Sequence, residues 1–116
     1  MPVVGKIHLY NAGGYNCHLG VKWIDPDGQS QHGPAYDPNG HVIMAAGSED
    51  IDPGDVGVPN GSTIWAYIDV QAGWDNQGSA QDGLIFKLGD PHVANYESTG
   101  TTLNNGVKFQ GVSPPE

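Results

Sequence analysis

The chain has 116 residues, with eighteen glycines, nine prolines and 37% hydrophobic residues, a composition that supports one small core and excludes both a second domain and global disorder. Thirteen acidic residues face four lysines and no arginine, a formal charge of -9; such a chain repels phosphate backbones and anionic membranes and lacks the bidentate phosphate reader, so nucleic acid is excluded as a partner. The single cysteine, Cys17, rules out an intrachain disulfide and any multi-cysteine zinc site.

The opening MPVVGK lacks the charged-then-apolar pattern of a leader, and no window approaches the ~20 apolar residues of a membrane-spanning helix. The expectation is a soluble protein, cytoplasmic or non-classically secreted. In chain order, short runs rich in β-branched and aromatic residues fall at 3 to 10, 16 to 24, 40 to 46, 62 to 70, 83 to 89, 93 to 98 and 106 to 112. Asn-Gly and Asp-Gly pairs at 27–28, 39–40, 60–61, 82–83 and 105–106 supply the positive φ of tight hairpins. No stretch keeps a helical apolar period for three turns, and only 48 to 55 offers a short helical turn, capped by Ser48. Residues 1–116 therefore read as a single all-β domain, an antiparallel β-sandwich of seven to eight short strands.

Alternation assigns the faces. Within 62 to 70, Ile64, Ala66, Ile68 and Val70 form the natural core face, while Thr63, Trp65, Tyr67 and Asp69 share the other. Ile7 and Leu9, Leu19, Val21 and Trp23, Leu84, Phe86 and Leu88, and Val107 with Phe109 complete a plausible two-sheet core.

Directly after that strand comes QAGWDNQGSAQDG, in which Trp74 sits in an otherwise polar, turn-forming run. Its ring is either a lid over one end of the core or displayed to a ligand. Trp74, Asp75, Asn76 and Gln77, with Trp65, Tyr67 and Asp69, form the best candidate for a glycan site, because aromatic rings pack on sugar C–H faces and planar amides and carboxylates bind hydroxyls. The competing reading buries Trp65 and Tyr67 between sheets or at a subunit contact.

Other groups carry less chemistry. Tyr10, Asn11, Tyr15 and Asn16 surround a Gly-Gly turn and read as local backbone satisfaction. The acidic run SEDIDPGDVG lacks the full calcium-loop pattern; if calcium binds at all, Asp50, Asp52 and Asp55 are the first ligands to suspect. The five histidines show no metal-ligand spacing, although His8 and His18 could meet across strands. No nucleophile elbow or other catalytic motif is present, so no enzyme activity and no cofactor are expected.

YNAGGYNCHLGVKW, residues 10 to 23, and STGTTLNNGVKFQGV, residues 98 to 112, resemble small fungal and bacterial β-sandwich modules. The overall look is similar to mushroom lectins and, more distantly, to aegerolysin-type proteins of the kind found near toxins and in fungal defence. That resemblance implies recognition of glycans or lipid headgroups, often by a homo-oligomer. The leading expectation is thus a lectin binding glycans or glycoproteins; the alternative is a membrane-lipid or toxin-associated binding module, or a calcium-stabilised structural one.

Overall fold

A computed structural model describes residues 2–115. It contains ten strands: β1 (Val3–Val4), β2 (Lys6–Asn11), β3 (Cys17–Ile24), β4 (Gln31–Tyr36), β5 (Ser48–Ile51), β6 (Thr63–Val70), β7 (Asn76–Gln77), β8 (Leu84–Phe86), β9 (Val93–Gly100) and β10 (Asn105–Ser113). The only helical elements among the described residues are two 3-10 turns, Pro53–Val56 and Ala80–Asp82.

One sheet runs β1-β8-β6-β3-β4 with β7 pairing β6; the other runs β10-β9-β2-β5. The all-β sandwich expected from the sequence is present, with two corrections. It has ten strands rather than seven or eight, and both sheets are mixed, because β1 pairs β8 in parallel and β2 pairs β9 in parallel. The predicted 3 to 10 strand is split at Gly5, whose N–H bonds to the His92 carbonyl; an added Cβ there would strike the Asp90 backbone. The chain can therefore pass from one sheet to the other at this point. Residues 40 to 46 form no strand beyond an isolated bridge between Ile43 and Cys17, and the helical turn expected from Ser48 begins instead after Asp52, whose carboxylate accepts the Gly54 N–H at 2.9 Å.

The core lies largely where the alternation placed it; the exception is Leu88, which follows the end of β8 and is exposed, while Val107 and Phe109 are only partly buried against the cluster. Ile64, Ala66, Ile68 and Val70 pack with Leu19, Val21, Ile7, Leu9, Leu84, Phe86 and Tyr96 between the sheets. Trp23 is partly buried against this cluster and stacks on His32 at 5.4 Å between ring centroids. Burial of these side chains is the main stabilising term, each contributing about 1.5–3 kcal/mol relative to exposure.

Strand directions sort the loops between two ends. β2, β4, β6 and β9 run toward one end, where the chain turns through 12–16, 37–47, 71–75 and 101–104; β3, β5, β8 and β10 run away from it. Asn11 welds this end together from inside. Fully buried, it donates to the Tyr15 and Ile43 carbonyls at 2.7 and 3.2 Å and accepts from the Gly13 N–H at 2.9 Å and the Ser98 hydroxyl at 3.0 Å. Two strands and two loops are thereby fixed by one amide.

Candidate functional site

The loops at this end differ in composition from the rest of the chain. Residues 11–17, 42–48, 70–74 and 98–106 contain no Asp, Glu, Lys, Arg or His, in a protein carrying thirteen acidic residues. Asp25, Asp27, Asp52, Asp55, Lys87 and Asp90 instead gather at the opposite end. The uncharged end also carries three of the six large hydrophobic side chains that are exposed: Trp74 at 67%, Leu103 at 67% and Met44 at 65%.

Trp74 is displayed rather than folded over the core as a lid. The main chain around it is held firmly. Its N–H donates to the Thr102 carbonyl at 2.8 Å, and its carbonyl accepts from the Asn105 amide at 2.8 Å. Asn105 donates also to the Thr101 and Thr102 carbonyls, and Asn76 reaches back to the Asn105 carbonyl at 2.9 Å. Gly73 permits the close approach, because a Cβ there would lie 2.7 Å from the Thr102 carbonyl carbon and nearer still to its oxygen. Trp74 and Leu103 are thus carried on two loops fastened backbone to backbone. On the other side, the 12–16 loop bonds to Gly100 through Gly14 and to Gln71 through Asn16, and Asn11 bonds to the 44–47 turn that bears Met44.

Immediately behind the loops, the outer face of the β6 sheet carries a polar and aromatic patch. Register places His18 beside Asp69, Gly20 beside Tyr67, and Tyr36 beside Gly20 on the third strand. With no side chain on Gly20, the Tyr36 and Tyr67 rings approach over it edge to face, 6.4 Å between centroids; a Cβ on Gly20 would lie 2.8 Å from the Tyr36 ring. The Lys22 ammonium rests 5.3 Å from the Tyr67 centroid, a cation on the negative ring face. Asp75 turns away from the tip: its carboxylate accepts from the Val70 N–H at 3.0 Å and the Tyr67 hydroxyl at 2.9 Å.

These contacts set the electrostatics. Burial and then the bond to Asp75 push the Tyr67 phenol up to about 12, and burial with the Asp69 charge raises Tyr36 as well. Partial burial, together with the neighbouring Asp75 carboxylate, holds Asp69 above the ordinary carboxylate range despite His18. Burial pushes the Cys17 thiol up to about 11, so it is a packing residue without thiolate reactivity.

The seven residues expected to form one glycan site are divided. Tyr67, Asp69 and Asp75 come together; Trp74 stands above them at the tip; Asn76 spends its amide on Asn105, and its carbonyl oxygen accepts from the Gln77 N–H. Trp65 lies on the outer side of its strand, as its alternation allowed, yet is only 2% exposed and offers no face to a ligand. The sequence reasoning missed Tyr36, Leu103 and Met44. Asp50, Asp52 and Asp55 do not assemble: Asp50 bonds to His8 and Asp52 caps a 3-10 turn, and no group of three or more metal-ligating side chains occurs among the described residues. His8 and His18 lie on different sheets, and no helix among the described residues is long and apolar enough to cross a membrane.

Fold and site define a β-sandwich with an apolar end poor in charge, backed by an aromatic and acidic face. No protein-family model matches the sequence, and no curated protein matches it. Among solved structures it is similar to the crystal structure of listeriolysin O, at 19% identity and a TM-score of 0.44, covering 91% of this chain and 22% of that one. It is similar also to the membrane-binding domain of pneumolysin, at 17% identity and TM-score 0.44, covering 92% and 96% of the two chains. A protein from Eubacterium rectale solved by NMR gives 15% identity and TM-score 0.47, with 96% and 88% covered. The chain spans about a fifth of the length of listeriolysin O.

Proposed function

We propose that this protein is a non-catalytic binding module that docks end-on to the surface of an uncharged lipid bilayer through Trp74, Leu103 and Met44. The observation that carries the reading is the coincidence of these three exposed apolar side chains with four segments, 11–17, 42–48, 70–74 and 98–106, that contain no ionisable acid, base or histidine. Burying an ionised group in the interfacial layer costs several kcal/mol; the segments that bear these three side chains bring none, and the adjoining carboxylate, Asp75, is drawn back onto Val70 and Tyr67. An indole with its polar N–H suits the headgroup boundary, and the fastened loops present the side chains without an ordering cost. The charge of -9 on the remainder disfavours anionic lipid.

Three side chains make a small anchor, so stable attachment calls for several copies acting together, which favours a homo-oligomer on the membrane. Sedimentation with extruded vesicles tests the reading. The protein is expected to co-sediment with zwitterionic phospholipid, in a manner insensitive to salt, and less with vesicles rich in anionic lipid. A glycan array on the same preparation gives the rival outcome. Selective glycan binding with no vesicle binding at any composition would replace lipid docking by the lectin reading.

A further inference from the structure

Directly below the tip, the outer face of the β6 sheet combines features that a plain structural surface has no use for. Gly20 leaves a bare strand between Tyr36 and Tyr67, and the two rings meet edge to face across it. Tyr36 remains exposed. Asp69 and Asp75 lie beside the rings, yet among the described residues neither forms an ion pair with a lysine; the ion pairs found there all join a histidine to an acid elsewhere. Asp75 has two donors, whereas Asp69 has none among the side chains, lying across the strands from His18 and beside Asp75. The one cation already present, the Lys22 ammonium, sits on the Tyr67 ring rather than on a carboxylate.

We propose that Tyr36, Tyr67 and Asp69 form a site for a quaternary ammonium group, and that its ligand on a bilayer is the choline of a zwitterionic headgroup. Aromatic faces with an adjacent carboxylate are the chemistry that recognises such a cation, which is weakly hydrated and offers no hydrogen-bond donor. Lys22 shows that this environment accepts a cation on a tyrosine face. A neutral sugar would leave the mutual repulsion of Asp69 and Asp75 in place, whereas a cation relieves it. Depth agrees as well: Asp69 and Tyr67 are one and three residues below Val70 at the end of β6, roughly 3 to 10 Å behind the loops at about 3.3 Å per residue. Tip-first docking would bring them to headgroup level. The choice of a lipid source rests on the docking reading above; the affinity for the cation does not.

The test uses the intact protein and two kinds of probe. Tetramethylammonium chloride, exchanged for sodium chloride at constant ionic strength, should shift the backbone amide resonances of Gly20, Tyr36, Tyr67 and Asp69. Tyr36→Ala and Asp69→Asn should each weaken that response at least about tenfold, while Tyr36→Phe, which keeps the ring, preserves it. Vesicles of phosphatidylcholine should bind more tightly than vesicles in which half the choline lipid is replaced by phosphatidylethanolamine, and the Asp69→Asn variant should lose that preference. Absence of the tetramethylammonium shifts, or shifts unaltered by Asp69→Asn and Tyr36→Ala, would overturn the site. Vesicle binding indifferent to the headgroup would overturn the choline assignment and leave docking intact. Tetramethylammonium binding without vesicle binding would leave the cation site and sink end-on docking.

Discussion

Replacing Trp74 with alanine separates a displayed anchor from a structural lid, because the two roles predict opposite pairs of results. A buried tryptophan covers up to about 250 Å²; at 67% exposure Trp74 presents about 170 Å², worth about 4 kcal/mol on complete removal from water at about 25 cal/mol per Å². An indole resting in the headgroup layer stays partly wet, so about half of this, about 2 kcal/mol or roughly 30-fold in partitioning, is the expected loss for each copy. Stability should scarcely change, since a substitution at an exposed position normally stays within about 0.5 kcal/mol, or about 2–4 °C in a domain near this size. The assay is a vesicle titration read by sedimentation, paired with a thermal melt of the same two proteins. Unchanged binding to vesicles that hold the wild type, or a melting temperature lower by 10 °C or more, would refute the reasoning.

The same structure fixes further outcomes. Gly73→Ala should force the 71–75 and 101–104 loops apart, because its Cβ meets the Thr102 backbone rather than a movable side chain; a cost of about 1–3 kcal/mol in stability and weaker vesicle binding with Trp74 untouched are expected from melts and sedimentation. Asn11→Ala should be worse, leaving the buried Tyr15 carbonyl, the Gly13 N–H and the Ser98 hydroxyl without the Asn11 amide, a loss of about 2–4 kcal/mol to be read from urea unfolding. Asp69→Asn should raise the melting temperature at neutral pH. The folded protein holds this carboxyl above its ordinary range, so wild type has the benefit of the protonated form below the unfolded carboxylate range and loses it as pH rises through the folded value; the gain of the variant over wild type should therefore shrink as the solution is acidified.

The core was legible because alternation in TIWAYIDV and in the β2, β3 and β8 segments is nearly unbroken, and one register error would reverse every side chain. β4, reading QHGPAY, and β5, reading SEDI, were not legible: proline, glycine and acidic residues carry no strand signal, and only pairing to β3 and β2 makes them strands. The parallel pairs escaped for another reason. Asn-Gly turns suggest hairpins between neighbours in sequence, whereas the chain crosses between sheets at Gly5, and Asn105-Gly106 lies within β10 rather than at a turn. Half of the site was visible. Trp74 stood out as a lone aromatic in a polar run, but Leu103 is a single residue in TTLNN and Tyr36 ends a strand that had no pattern. Their significance arises only when the topology brings four separate loops, and three separate strands, side by side.

That topology also converts an unfavourable net charge into an orienting one. Spread evenly, nine excess negative charges would oppose approach to membranes in any pose, since even zwitterionic surfaces rarely lack some anionic lipid. Concentrated on the body and the far end, they are weakest in effect when the uncharged loops lead, because at physiological salt a charge more than about 8 Å from the surface is largely screened. The smallest extent of the molecule is 27 Å, so charges at the far end stand well beyond that distance in a tip-first pose. Asp69 and Asp75, like Asp37, Glu49 and Glu97, lie close enough to the leading end to be felt. Asp75 is held by donors from Val70 and Tyr67; under the proposed cation site Asp69, set beside two tyrosine rings, would meet the positive group of the very lipid whose surface the loops would enter.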